Sequence, residues 1–158
     1  MPKDTPSMAK NKMRRSLVAI YDPHPSRIEV NELWEYFGSR CAYCGAPMER
    51  ESRIGHLDHL VPSSDGGSNN IHNHALSCPR CNGDEKREEL WQSFVARKSE
   101  NSSVYEKRYA KIEYWLSLAP PSAANAELLV EAESIIKEAI ESFESSVKRM
   151  RMLRATGT

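Results

Sequence analysis

The stretch that decides the fold runs from Cys41 to Asn82. It reads C-A-Y-C-G at 41–45, H-L-D-H-L-V-P at 56–62 and N-H-A-L-S-C-P-R-C-N at 73–82. Two Cys-x-x-Cys pairs, Cys41/Cys44 and Cys78/Cys81, enclose an Asp-His dyad, Asp58-His59, and Asn82 follows the last cysteine directly. A Cys-x-x-Cys turn aims two thiolates at one point, and Gly45 after Cys44 eases the tight turn. Two such turns complete a four-cysteine zinc site with no open coordination position, so its role is structural. It supplies folding energy that a core of this size lacks and pins the Asp58 strand beside the segment that starts at Asn82.

The residues between the cysteines point to a second metal used for chemistry. A hard cation such as Mg²⁺ or Mn²⁺ takes oxygen ligands, and the Asp58 carboxylate and the Asn82 side-chain oxygen supply two. An imidazole titrates near neutral pH, which suits His59 to take a proton from a water attacking phosphorus. The metal's part is to stabilise charge on the phosphoryl and leaving oxygens. Asn73 is expected to hold the His59 imidazole by a hydrogen bond and so fix its tautomer. Neighbours on an ideal strand face opposite ways, so Asp58 and His59 share a site only if the strand bends or each meets a different part of the substrate. His56, two residues before Asp58, shares its strand face and is an accessory candidate, though an ordinary polar strand residue is the commoner case. Arg80, Lys86 and Arg87 are candidate phosphate contacts.

This stretch resembles the HNH endonucleases of the zinc-stapled ββα-metal type, whose pattern runs C-x-x-C, D-H, a Gly-containing loop, N, then C-x-x-C followed by N or H. The first signature histidine is His59, the middle Asn is Asn73, and Asn82 takes the third position. The resemblance covers about residues 38–98. It implies that Asp58 and Asn82 bind one divalent cation, that His59 is the general base, and that DNA is cut to leave 5′-phosphate and 3′-hydroxyl ends. One departure is the segment N-G-D-E-K-R-E-E at 82–89, more acidic than the N-x-x-K-G common in the family. The competing function is a noncatalytic zinc module that binds nucleic acid or protein. It explains the cysteines and leaves the joint placement of Asp58, His59, Asn73 and Asn82 to chance.

Outward from the motif, the fold class expected is α+β: a small ββα-metal core with a four-cysteine zinc site, flanked by an N-terminal helix and two or more C-terminal helices. Val30, Leu33, Trp34 and Phe37 recur with helical period and Gly38 ends that helix. Ile54–Leu60 and His74–Ser77 read as strands. The run from Asn82 to Lys98 reads as one helix with Leu90, Trp91, Phe94 and Val95 on its apolar stripe. Tyr105, Tyr109, Ile112 and Leu116 mark the next helix, stopped at Pro120-Pro121. Ser122 then caps a long helix to about Leu153, about 45 Å in length. Its apolar seam allows a homodimer, a partner protein, or folding back on the preceding helix. The divisions expected are 1–27, a flexible basic segment; 28–98, the nuclease domain; and 99–158, a helical extension. Leu17–Tyr21, within the first, reads as a short strand or anchoring segment.

Composition agrees. With 39% apolar and 28% charged residues and a mean hydropathy of −0.64, the 158-residue chain suits one soluble domain with appendages. No stretch approaches the ~20 apolar residues of a membrane span, and the start lacks a secretory apolar region, so a cytoplasmic location is expected. There, disulfides are disfavoured, which leaves zinc as the use of the cysteines. Net charge is zero, but it is segregated. Residues 1–15 hold five bases against one acid, and residues 127–144 hold six Glu against one Lys. Binding DNA needs local positive potential and not a global surplus.

Overall fold

The computed structural model describes residues 5–52, 54–62, 65–87, 89–120 and 126–156. Its contacts divide into two compact units, Met1–Pro23 with Pro121–Thr158, and His24–Pro120. The expected boundaries at 27/28 and 98/99 differ from this division. The reason lies in the helix after residue 99, which is built into the core of the second unit.

That unit begins with α2 (Arg27–Phe37); α1 (Pro6–Tyr21) belongs to the other unit. Ser26 caps α2 through a reciprocal box: its side chain accepts from the Glu29 N–H and its own N–H donates to the Glu29 carboxylate at 2.7 Å. Gly38 closes the helix in the left-handed conformation, φ 62°, as the sequence predicts. Leu33, Trp34 and Phe37, on one face, are buried. Next, Arg40 and Pro47 bridge across the first cysteine turn, and Gly45 takes φ 74° there. The Ala42 N–H donates to the Leu76 carbonyl at 2.8 Å and ties this turn to the sheet.

The sheet has two antiparallel strands, β1 (His56–His59) and β2 (His74–Ser77), in a register that pairs Asp58 with Ala75 and His59 with His74. All four residues of β2 are buried. A 3₁₀ turn, Ile71–Asn73, leads into β2, and Trp115 stitches it down by donating its indole N–H to the His74 and Ile71 carbonyls at 2.9 and 3.2 Å.

The helix expected over 82–98 is two pieces. Arg80–Glu85 forms a π-helical turn, with the Lys86 N–H reaching back five residues to the Cys81 carbonyl at 3.0 Å. Arg87 then adopts φ 47°, a left-handed conformation that interrupts the helix, and α3 starts only at Trp91 (Trp91–Lys98). Glu85 pairs with Lys98 at 2.6 Å and with Arg80. Asn101 caps α4 (Ser102–Ser117), which ends three residues before Pro120. Tyr36 on α2 donates its hydroxyl to the Lys111 carbonyl at 2.7 Å, and Ile112 and Trp115 are buried in the core with Tyr43, Leu76 and Phe94.

In the other unit, the expected flexible segment and the strand at 17–21 give way to α1. Thr5 caps it, Pro6 sits in its first turn where the missing N–H costs nothing, and the next prolines, Pro23 and Pro25, fall beyond its end. It packs on α5 (Ala126–Thr156), a partner for that helix the sequence reading did not include. Ile136 and Ile140 are the buried residues of α5, and Lys10 bridges to Glu144 at 2.6 Å. The expected stop at Pro121 and cap at Ser122 lie outside the described residues. Among the described residues, no helix is long and apolar enough to cross a membrane.

Candidate active site

The four cysteine sulfurs all lie within 4.8 Å of one another, and Cys44 and Cys78 approach to 3.8 Å. A tetrahedron with Zn–S bonds of ~2.3 Å has edges of about 3.8 Å, so the donors present fit zinc in number, chemistry and spacing. The Cys41 thiol is drawn down to about 5. A hydrogen bond from Cys81 is the largest cause, followed against burial by N–H groups of the two turns. Burial pushes Cys44 up. These four residues are positioned to bind a metal as a closed, structural site.

A separate cleft of about 190 Å³ is lined by Asp58, His59, Asn82, Lys86 and Arg87, with Leu57 and Pro62. Strand alternation does not separate Asp58 from His59, because β1 ends at His59 and the chain bends at Leu60–Val61. Both residues, at the end of β1, line the cleft. Asn82 is held there because its N–H donates to the Cys78 carbonyl at 3.0 Å, placing it directly on the second cysteine turn. The donor set, a carboxylate and an amide oxygen, fits a hard divalent cation.

Asp58 is buried, and its two oxygens differ in their partners. Oδ2 accepts from the Tyr43 hydroxyl at 2.5 Å and from the Lys86 ammonium at 3.1 Å. Lys86 is itself buried, its side chain 2% exposed, and it donates also to the His59 carbonyl at 3.1 Å. Lys86, a candidate phosphate contact, does line the cleft, with its ammonium already paired to Asp58. Tyr43 stays a neutral donor, because burial first and the Asp58 charge second push its phenol well above the usual range. Sequence reasoning missed Tyr43, whose position inside the first Cys-x-x-Cys marks it only as a spacer.

His59 Nε2 lies 3.1 Å from Asn69 Oδ1. An amide oxygen only accepts, so Nε2 is the donor of this pair, and in a neutral ring that leaves the lone pair on Nδ1. Asn69, from the polar loop, thus does what was expected of Asn73. Asn73 instead clamps that loop: its side chain accepts from the Val61 N–H at 2.9 Å and donates to the Val61 and Ser68 carbonyls at 3.0 and 2.8 Å. The physical reason is position, since Asn73 is buried in the turn ahead of β2 and reaches the chain beneath the loop. Of the accessory candidates, Arg87 lines the cleft. His56 is exposed, pairs with Ser77 across the sheet and is not among the residues lining the cleft. Arg80 also lies off the cleft lining, its side chain 76% exposed and paired with Glu85.

A small α+β core in which paired cysteine turns hold a two-stranded antiparallel sheet, with an Asp-His dyad at the strand end, defines the class of the site. Residues 41–88 match the family described as HNH endonuclease. The match spans both cysteine pairs, the dyad, Asn73 and Asn82, and under half of the chain. No curated protein matches the sequence.

Proposed function

We propose that this protein is a metal-dependent endonuclease that hydrolyses DNA phosphodiester bonds in the cleft beside Asp58 and His59. The observation that carries this reading is the joint placement of Asp58, His59 and Asn82 on one cleft. The division of labour at Asp58 adds to it: Tyr43 and Lys86 take Oδ2, which leaves Oδ1 available to a ligand. Asp58 Oδ1 and the Asn82 side-chain oxygen would hold one Mg²⁺ or Mn²⁺, which supplies charge stabilisation for the phosphoryl and leaving oxygens.

His59 Nδ1 takes a proton from the attacking water, while Asn69 holds the ring through Nε2. The water oxygen forms the new bond to phosphorus and the P–O3′ bond breaks, so the products are a 5′-phosphate and a 3′-hydroxyl that gains its proton from solvent. Arg87, at the cleft, suits a non-bridging phosphate oxygen. The metal-binding cysteines hold zinc and take no part in bond cleavage.

The test is plasmid cleavage with Mg²⁺ or Mn²⁺. Wild-type protein is expected to nick or cut, and His59→Ala to lose at least ~100-fold in rate, the lower range for removing a general base. Zinc content and melting should be unchanged in that variant. Wild-type rates from His59→Ala would refute the assignment of the base. DNA binding without cleavage by the wild-type protein would favour the noncatalytic module.

A further inference from the structure

A second cleft, about 350 Å³ in volume, opens between the first cysteine turn and α4. Four cations line it, Arg40, Lys107, Arg108 and Lys111, and among the described residues no carboxylate does. Residues 107, 108 and 111 are one turn of α4, spaced so that all three reach the same side. The floor is Phe37 and the Cys41–Gly45 turn, so the cleft belongs wholly to the His24–Pro120 unit.

The partners of these cations set the cleft apart. Several bases elsewhere in the unit meet acids: Lys98 and Arg80 on Glu85, Arg97 on Glu89, Lys86 on Asp58. In the cleft the partners are neutral. Arg40 donates to the Gly45 carbonyl at 3.1 Å, and Arg108 donates to the Cys44 and Lys98 carbonyls, each at 2.9 Å. Lys111 Nζ sits 5.3 Å from the Tyr36 ring centre and 5.7 Å from that of Phe37. Carbonyls and ring faces orient a cation without cancelling its charge. The result is a fixed positive concavity, with exposed Lys107 at its edge.

We propose that this cleft is a second backbone-binding site for nucleic acid, taking a sugar-phosphate segment of the same DNA that the first cleft cuts. Orienting without neutralising is what phosphate contacts require, since they position a duplex without reading its sequence. The choice of nucleic acid over another polyanion rests on the nuclease reading of the same unit. Arg108 joins the site to the first cysteine turn, so DNA held here would lean on the zinc frame itself.

The test measures binding of a mixed-sequence DNA duplex by fluorescence anisotropy across a salt series, using the full zinc-loaded chain with no added divalent cation. Lys107→Gln/Lys111→Gln changes two exposed side chains and should leave zinc content and melting intact. Each phosphate contact contributes ~0.9 to the slope of log K against log salt, so the slope should become shallower by about one to two. Affinity should fall several-fold, and further for Lys107→Glu/Lys111→Glu. Wild-type slope and affinity in both variants would overturn the proposal. So would polyglutamate that displaces DNA from the wild-type protein as well as an unlabelled duplex does. Binding is read apart from cleavage, so the two readings fail separately. A duplex bound through the cleft but left intact with Mg²⁺ or Mn²⁺ sinks the nuclease reading and keeps the cleft. A duplex cut at normal rate with normal binding by both variants does the reverse.

Discussion

At Asp58, one carboxylate carries two different environments. Oδ2 is fixed by a phenol and an ammonium, both buried, which leaves Oδ1 for the cation proposed for the cleft. Tyr43→Phe removes one donor while keeping the ring against Phe94, whose centre is 5.0 Å away. We expect a stability loss of about 1 kcal/mol and Mn²⁺ binding weakened several-fold, measured by denaturant unfolding and calorimetric titration. Lys86→Met is more severe, because it leaves a buried carboxylate without its counter-charge, and should cost about 3 kcal/mol or more. Mn²⁺ should restore part of that loss by supplying the missing positive charge, which melting with and without the ion will show. Neither residue's role is legible in the sequence. Tyr43 stands between two cysteines, and Lys86 lies in a charged run where an exposed side chain is the ordinary expectation. Their meeting at Asp58 depends on the π-helical turn, and the sequence pattern there is that of a regular helix.

At the level of elements, periodicity located α2, α4 and the course of α5, because each carries an apolar face. It failed over 82–98, where a continuous helical pattern hides the left-handed Arg87. It misses α1 as well, within a segment expected to be flexible, because Pro6 opens the helix and Pro23 and Pro25 lie beyond it, leaving its interior unbroken. The dyad, Asn82 and the cysteines were legible because their spacing is set by chemistry. The exchange of roles between Asn69 and Asn73 was not, since two asparagines four residues apart give the same signal. The loop between them is held closely. A methyl group added at Gly67 would stand 1.8 Å from the Val61 carbonyl oxygen. Gly67→Ala should therefore destabilise by about 1–3 kcal/mol, the range for forced overpacking, and shift the loop that carries Asn69. Cleavage should fall more than melting alone explains, as paired kinetic and unfolding measurements will reveal. At the start of α2, the Ser26 hydrogen bonds hold Glu29 below its ordinary carboxylate range. A depressed folded pKa gives stability that is present above the unfolded value and lost as pH falls through the folded one. Glu29→Gln should flatten that acid limb in a pH series of melting curves.

On the scale of the whole molecule, the His24–Pro120 unit is organised around its cysteines. Cys41 and Cys44 bound the turn that meets β2 and Arg108, while Cys78 and Cys81 bound the turn that carries Asn82. Removing zinc should unfold this unit as a whole, and one equivalent of zinc should restore it, as expected where metal binding is folding free energy. Cys41→Ser should behave as the chelated protein does. The other unit, α1 on α5, contains no cysteine and should keep its helicity under the same chelator. Trp34, Trp91 and Trp115 all fall within residues 24–120 and all are buried. The tryptophan emission of this protein is therefore a private signal of the zinc-framed unit, while far-ultraviolet dichroism sums the helices of both. Two optical traces from one cuvette give each unit its own melting curve, with no label attached and no residue changed.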